Sequence, residues 1–330
     1  MRTRILFLAP GADLDRIQSE LQGLGVWTQA LSGTSDERRA LSIRAHSRRV
    51  ADEVLEGLDG VDTLLRSAPP TPKLDRLLGQ SVDVGGLAVG GGAPPVLAAG
   101  PCSAESPEGI HLAAEQAAAA GASILRGGAF KPRTSPYAFN GHGIAALGWL
   151  REAADAHGLR LVTEVMSEGD VDAVAANADL IQVGSRNMAN FALLRAVGRT
   201  GRPALLKRGR AADLDAWRLA AEHLLDAGAS GVIFCERGVA AAGGSEEMRN
   251  TLDISAVALL KHVDRAVVWV DPSHGTGRRD LILPLSRAAL AAGADGLLVE
   301  SHPNPRRALS DGPQALSPSE LAQLGEELFV

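Results

Sequence analysis

VLAAGPCSAESPEGIHLAAEQAAAAGASILR, residues 96–126, holds one full strand–loop–helix–strand cycle, and its reading decides the fold. Val96–Ala99 is an apolar run of strand length. GPCSAES (100–106) breaks it with turn-forming and polar residues. A long alanine-rich helical segment follows and stops at Gly121, the residue type that best adopts the left-handed conformation of a helix end. Ser123–Arg126 then resumes as a strand. The rhythm repeats to the end of the chain, with strands near Leu161–Glu164, Leu180–Gly184, Pro203–Lys207, Gly231–Cys235, Val267–Val270 and Gly296–Val299. Helical segments such as Asp213–Ala227 and Asp280–Ala292 separate them, and Gly158, Gly228 and Gly293 act as further stops. Eight such units predict an α/β protein with a (β/α)8 TIM barrel over residues 95–330. A doubly wound sheet would carry G-x-G-x-x-G after its first strand, and GPCSAES is not that motif.

Upstream, residues 1–66 read as a strand (Arg4–Ala9), a helix (Asp13–Leu24, apolar at Leu14, Ile17, Leu21 and Leu24) and two strands (Val26–Leu31, Arg39–Arg44). A helix over Arg48–Leu58 and a strand at Val61–Leu65 complete the series. The order β-α-β-β-α-β predicts a small ferredoxin-like (ACT-like) α+β domain. It holds no cluster of catalytic-type residues, so regulation or assembly is its expected role. SAPPTP (67–72) is a linker stiffened by three prolines, and VDVGGLAVGGG (82–92) reads as a hairpin. Residues 67–94 thus connect the two domains.

Composition excludes several classes. With 45% apolar and 22% charged residues over 330, the chain is neither disordered nor collagenous. A net charge of −6 provides no basic field for nucleic acid or an anionic membrane. No apolar run approaches the ~18 residues of a spanning helix. Arg2 and Arg4 before Ile5–Pro10 mimic a signal peptide, but the apolar stretch is short and runs into Asp13 and Asp15. Cys102 and Cys235 form no disulfide framework, and a cytoplasmic location is expected.

In a barrel the chemistry sits at the C-terminal strand ends. Those positions are rich in cations: Arg126, Lys131, Arg133, Arg186, Lys207, Arg208 and Arg237. Aimed at one pocket they would repel one another unless anions share it, which implies at least two anionic groups on the substrates, phosphates being the expected form. A single such arginine has the plainer reading of a surface ion pair. Lysine is scarce in this chain, at Lys73, Lys131, Lys207 and Lys261 alone, so a lysine retained at a strand end points to a need for a compact ammonium. Cys102, His274, Glu300 and Asp311 fall at the ends of strands one, seven and eight and in the loop beyond. These become neighbours once the barrel closes. Singly they read as a buried thiol, a loop imidazole and solvated acids. Together they form a mixed donor set for one divalent ion such as zinc, iron or manganese.

AGPCSAES (99–106), LRGGAFKPRTSPY (125–137), IQVGSRNM (181–188), LLKRG (205–209), CERG (235–238), RNTLDIS (249–255), VDPSHGTGRR (270–279) and ALSDGPQ (308–314) occur in this order. In them the sequence resembles the 3-deoxy-D-arabino-heptulosonate 7-phosphate (DAHP) synthases, in their short microbial form with an N-terminal ferredoxin-like domain. The resemblance implies condensation of phosphoenolpyruvate with erythrose 4-phosphate, the first step of the shikimate pathway to aromatic amino acids. It implies one divalent metal ion (Mn, Fe, Zn or Co) on Cys102, His274, Glu300 and Asp311. It implies phosphoenolpyruvate held by Arg126, Lys131, Arg186, Lys207 and Arg237. Lys131, Arg133 and Thr134, with Ser135 close by, would meet the aldose phosphate. Lys131 is then the candidate proton donor or water-positioning group, and Glu164 the candidate to orient that water. A homotetramer follows by the same analogy.

Three alternatives stand beside this reading. A 3-deoxy-octulosonate 8-phosphate synthase would use arabinose 5-phosphate and is expected to carry an Asn-Arg-Ser-type loop where this chain has KPRTS. A Schiff-base aldolase would use Lys131 or Lys207 as its amine. A non-catalytic regulatory barrel would be expected to have lost a ligand or cation. In feedback-sensitive relatives a His-x-Ser is expected near the end of the second strand. Here the stretch reads Thr28-Gln29-Ala30-Leu31-Ser32, so weak or altered feedback by aromatic amino acids is expected.

Overall fold

The structure is a computed structural model that describes residues 4–31, 39–131, 137, 139–241 and 247–329. The chain divides into two compact units, 1–72 and 73–330.

The first unit runs β1 (Arg4–Leu8), α1 (Leu14–Gly23), β2 (Val26–Ala30), β3 (Ala40–His46), α2 (Asp52–Glu56) and β4 (Val61–Arg66). Its four strands form one antiparallel sheet in the order β2-β3-β1-β4. The pleat places Leu6 opposite both Leu41 and Leu64, and these pack with Ile17 and Leu21 of α1 and Leu55 of α2. Asp13 caps α1 by accepting the Arg16 N–H. The second helix is one turn where the sequence predicts Arg48–Leu58. Arg4 accounts for the difference: its guanidinium donates to the Val50 carbonyl and to Asp52, and Ala51 is extended, so the helix starts only after the buried Val50.

In the second unit, α3 (Pro72–Leu77) begins within the predicted linker. Glu222 caps it by accepting the N–H groups of Lys73 and Leu74. The hairpin is present as β5 (Ser81–Val84) paired with β6 (Leu87–Gly90). Then follow β7 (Val96–Gly100), α4 (Pro107–Ala119), β8 (Ile124–Arg126), α5 (Ile144–Ala156), β9 (Arg160–Val165), α6 (Val171–Asn177), β10 (Leu180–Val183), α7 (Phe191–Arg199), β11 (Ala204–Lys207) and α8 (Leu214–Ala227). The series ends with β12 (Val232–Glu236), α9 (Ile254–Ala258), β13 (Val268–Val270), α10 (Pro272–Thr276), α11 (Ile282–Ala291), β14 (Gly296–Glu300) and α12 (Pro318–Leu328). Strands β7 to β14 are parallel and close into an eight-stranded barrel, with β14 paired to β7. This is the (β/α)8 barrel that the strand–helix rhythm predicts.

Alternation along each strand divides the residues between two layers. Leu97, Ala99, Leu125, Ile181, Leu206, Phe234 and Leu297 face the surrounding helices. Ala98, Ile124, Val162, Leu180, Leu205, Ile233, Trp269 and Leu298 face inward. The hairpin's Val82, Val84 and Val89 join this inner cluster and stop the N-terminal end of the barrel. The close approach requires glycine at 90, where a Cβ would stand 2.6 Å from Val267 Cγ2. Among the described residues no helix is long and apolar enough to cross a membrane.

Candidate active site

Continued two residues at a time, the inward register turns from apolar to polar at the C-terminal end of seven of the eight strands. Ile124 leads to Arg126, Val162 to Glu164, Leu180 to Gln182, Leu205 to Lys207, Trp269 to Asp271 and Leu298 to Glu300. From Ile233 the series runs through Cys235 to Arg237. The site is therefore the upper layer of the barrel interior, built on the same pleat as the core below it.

Cys102, Glu300 and Asp311 each bring one donor atom to within 4.8 Å of the others. The Cys102 thiol donates to Asp311 Oδ2 at 3.1 Å and accepts from Lys131 Nζ at 3.3 Å. His274 Nε2 stands 3.4 Å from Glu300 Oε1. Burial and the Glu300 carboxylate push the Cys102 thiol up to about 12, against the pull of Lys131 and Arg126. Glu300 behaves oppositely: burial works against its charge, but His274 and Arg126 hold it down at about 2. Its carboxylate accepts from Arg126 Nη1 at 2.9 Å and from Gln314 Nε2 at 2.5 Å. Asp311 sits at φ +53, a left-handed conformation costly for most side chains and tolerated by aspartate. A thiol and two carboxylates converge here, with the His274 imidazole beside Glu300, and such donors suit a borderline divalent ion. Buried Glu300 is held ionised, whereas the Cys102 thiol must shed a proton to bind an ion.

Asp271, fully buried, organises the next layer. It accepts from Lys207 Nζ at 2.5 Å and from His274 Nδ1 at 2.7 Å, and it caps α10 through the His274 N–H. The bond to Nδ1 orients the ring so that Nε2 stands beside Glu300, the side on which a metal would meet it. Burial opposes the charge on Asp271, yet His274 and Lys207 hold its carboxyl well below the usual range.

The cations divide by their surroundings. Arg126 and Lys207 are buried against Glu300 and Asp271. Arg208, which the sequence places among the mouth cations, is a correction: it lies one residue off the inward register and turns to the helix layer. There it pairs with Glu236 and Asp253 and stacks over Trp217. Arg237 is buried with no carboxylate within 4 Å among the described residues. Burial and the nearby charges of Arg249 and Arg210 push its guanidinium below the usual arginine range. A buried cation of this kind is one whose charge an anion would offset. Arg186 is exposed on the turn Ser185–Asn187. Glu164 accepts from Gln182 Nε2 at 3.0 Å. Lys131 is half-buried at the edge of the thiol–carboxylate cluster. Arg133, Thr134, Ser135 and, in the first unit, Ser32 lie outside the described residues.

The sequence model of the DAHP synthetase I family matches residues 75–329. The chain belongs to that family. A phospho-2-dehydro-3-deoxyheptonate aldolase of Thermotoga maritima is 42% identical over 295 residues, covering 88% of this chain and 86% of that protein. The crystal structure of a phospho-2-dehydro-3-deoxyheptonate aldolase (DAHP synthase) from the same organism superposes with a TM-score of 0.76 at 39% identity, over 99% of this chain and 96% of that one. A 2-dehydro-3-deoxyphosphooctonate aldolase of Nitratidesulfovibrio vulgaris is more distant, 32% identical over 70% of this chain and 89% of that protein.

Within this DAHP synthetase barrel, several working residues escape motif reading. Gln182 and Asp271 lie on the inward register, and that alternation alone would have found them. Arg210 and Arg249 come from loops, and only the closed barrel places their charges near Arg237.

Glycine at 184 also has a site role. A Cβ there would stand 1.9 Å from Glu164 Oε1, although the backbone itself would accept alanine. Gly184→Ala should therefore push the Glu164 carboxylate off Gln182 while the barrel stays folded. Turnover is expected to fall roughly 10²-fold with an unchanged melting temperature, and wild-type turnover would remove Glu164 from the chemistry.

The acid limb of stability follows from Glu300. Its carboxyl is held near 2 in the fold against an ordinary value of 4.5. Its contribution is thus complete above about pH 4.5 and is lost as pH falls toward 2. Urea unfolding of chelator-treated protein should show that loss, and Glu300→Gln should flatten it.

Proposed function

We propose that this chain condenses phosphoenolpyruvate with erythrose 4-phosphate and water to give 3-deoxy-D-arabino-heptulosonate 7-phosphate and phosphate, entering the shikimate route to aromatic amino acids in the cytoplasm. The gathering of Cys102, Glu300 and Asp311 in the polar layer that also carries Arg237, which has no carboxylate within 4 Å among the described residues, supports this assignment most directly. Cys102, His274, Glu300 and Asp311 hold one divalent ion, of the Mn, Fe, Zn or Co class, and when bound it supplies Lewis acidity toward the aldehyde oxygen. Arg237, Arg186, Arg126 and Lys207 bind phosphoenolpyruvate through its phosphate and carboxylate, with Arg237 gaining the counter-charge it lacks. Lys131, Arg133 and Thr134, with Ser135 close by, meet the aldose phosphate. The enol C3 bonds to the aldehyde C1, water adds at the former enol C2, and the hemiketal phosphate collapses with loss of phosphate. Lys131 delivers a proton or positions the water, Glu164 orients that water, and the cation cluster stabilises the charge that develops.

The assay is phosphate release from the two substrates, with and without EDTA, and with arabinose 5-phosphate as the control aldose. Activity with the four-carbon aldose alone, lost on chelation and restored by Mn²⁺, is the expected result. Activity with arabinose 5-phosphate would overturn the aldose assignment. Silence with both from metal-loaded protein would favour a regulatory barrel.

The first unit's βαββαβ order and β2-β3-β1-β4 sheet support a ferredoxin-like regulatory or assembly domain, within a homotetramer by family analogy. Residues 1–66 are then dispensable for chemistry. A truncated form of 3-deoxy-D-arabino-heptulosonate 7-phosphate synthase from Thermotoga maritima matches this chain at a TM-score of 0.69 and 42% identity, over 75% of this chain and 90% of that one. Removal of 1–66 should keep turnover within a few-fold and abolish any inhibition by tyrosine or phenylalanine. Inhibition that survives the truncation would place the effector on the barrel.

A further inference from the structure

RNTLD (249–253) follows strand β12 and contributes no atom to the metal cluster, yet it touches both halves of the site. Asn250 is fully buried, and its amide is used at both ends. Nδ2 donates to the His274 carbonyl at 3.0 Å, and Oδ1 accepts from Arg210 Nε at 2.9 Å. Helix α10, which carries His274, has only five residues, so most of its carbonyls find no partner within it. The strap satisfies two of them, because the Arg249 N–H donates to Thr276 at 2.7 Å while Asn250 takes His274.

The strap is anchored on its other side as well. Thr251 and Val239 exchange two backbone hydrogen bonds of 2.9 Å, which ties the segment to the loop that begins with Arg237. The fit leaves no slack: a Cβ on Gly238 would stand 2.7 Å from Asn250 Cβ and 2.9 Å from the Gly275 carbonyl. Gly238 has φ +88, so its backbone conformation demands glycine for a second reason.

We infer that Asn250 is a positioning residue that locks the backbone of His274 to the guanidinium of Arg210, so that the metal-binding imidazole and the loop cation whose charge acts on Arg237 form one rigid assembly. This rests on the metal and anion roles proposed above. Asn250 touches neither substrate nor metal. It acts through His274 and Arg210, as outer partners orient metal ligands in other sites.

The test uses full-length protein with Co²⁺ and inorganic phosphate as probes. Wild-type protein should show thiolate-to-Co²⁺ charge-transfer absorption from Cys102. Asn250→Ala should weaken Co²⁺ binding by roughly 10- to 100-fold, alter the ligand-field spectrum, and weaken phosphate binding in parallel. Folding is checked by circular dichroism. Asn250→Asp keeps the acceptor for Arg210 and loses the donor to His274, so it should weaken Co²⁺ and retain phosphate. It also decides the matter if the alanine variant does not fold. A folded variant with wild-type Co²⁺ affinity and spectrum would overturn the inference and leave the metal reading intact. A wild-type protein without the charge-transfer band would overturn both.

Discussion

Asp271→Asn is expected to destabilise the barrel by about 3–5 kcal/mol, the usual cost of removing one partner from a buried ion pair. The variant leaves the Lys207 ammonium, nearly fully buried, opposite a neutral amide. The same change removes the acceptor that fixes His274 through Nδ1, so the ring is no longer held with Nε2 beside Glu300. Metal affinity should fall by roughly 10- to 100-fold in addition. Urea unfolding of metal-free protein reads the first effect, and Co²⁺ titration of the folded variant reads the second. If Asp271→Asn costs less than about 1 kcal/mol, Lys207 does not depend on Asp271 for its charge.

Cys102→Ser should weaken metal binding by more than roughly 100-fold, beyond what is lost when an outer partner changes. The wild-type thiol, held at about 12, is protonated at neutral pH before the ion arrives. Binding must therefore expel that proton, and affinity should rise about tenfold per pH unit between pH 7.5 and 9. Titration calorimetry in buffers of different ionisation enthalpy counts the proton. In Cys102→Ser both the proton release and the slope should disappear. A pH-independent wild-type affinity would remove the thiol from the ligand set.

Most of this architecture is legible from local sequence, because it rests on short-range rules. The glycine stops and strand lengths give the barrel, and the motifs at the strand ends include Cys102, Glu300 and Asp311, which the fold gathers. What escapes has a specific cause in each case. Arg208 is adjacent to Lys207, and only the pleat assigns one to the helix layer and the other to the interior. Asp271 lies inside a motif whose more recognisable member is His274. Helix α2 is cut short by Arg4, some forty-five residues earlier in the chain, a contact that no periodicity can reveal. Arg210 and Asn250 meet across two loops, and their pairing exists only once the barrel has closed.

The hairpin β5–β6 is a stopper, and a vessel stopped at one end has a single doorway. Both reactants enter and both products leave through the mouth where the strands end. The side from which a reactant approaches is thus set in part by two short strands at the far end of the barrel, which complete the apolar plug beneath the site.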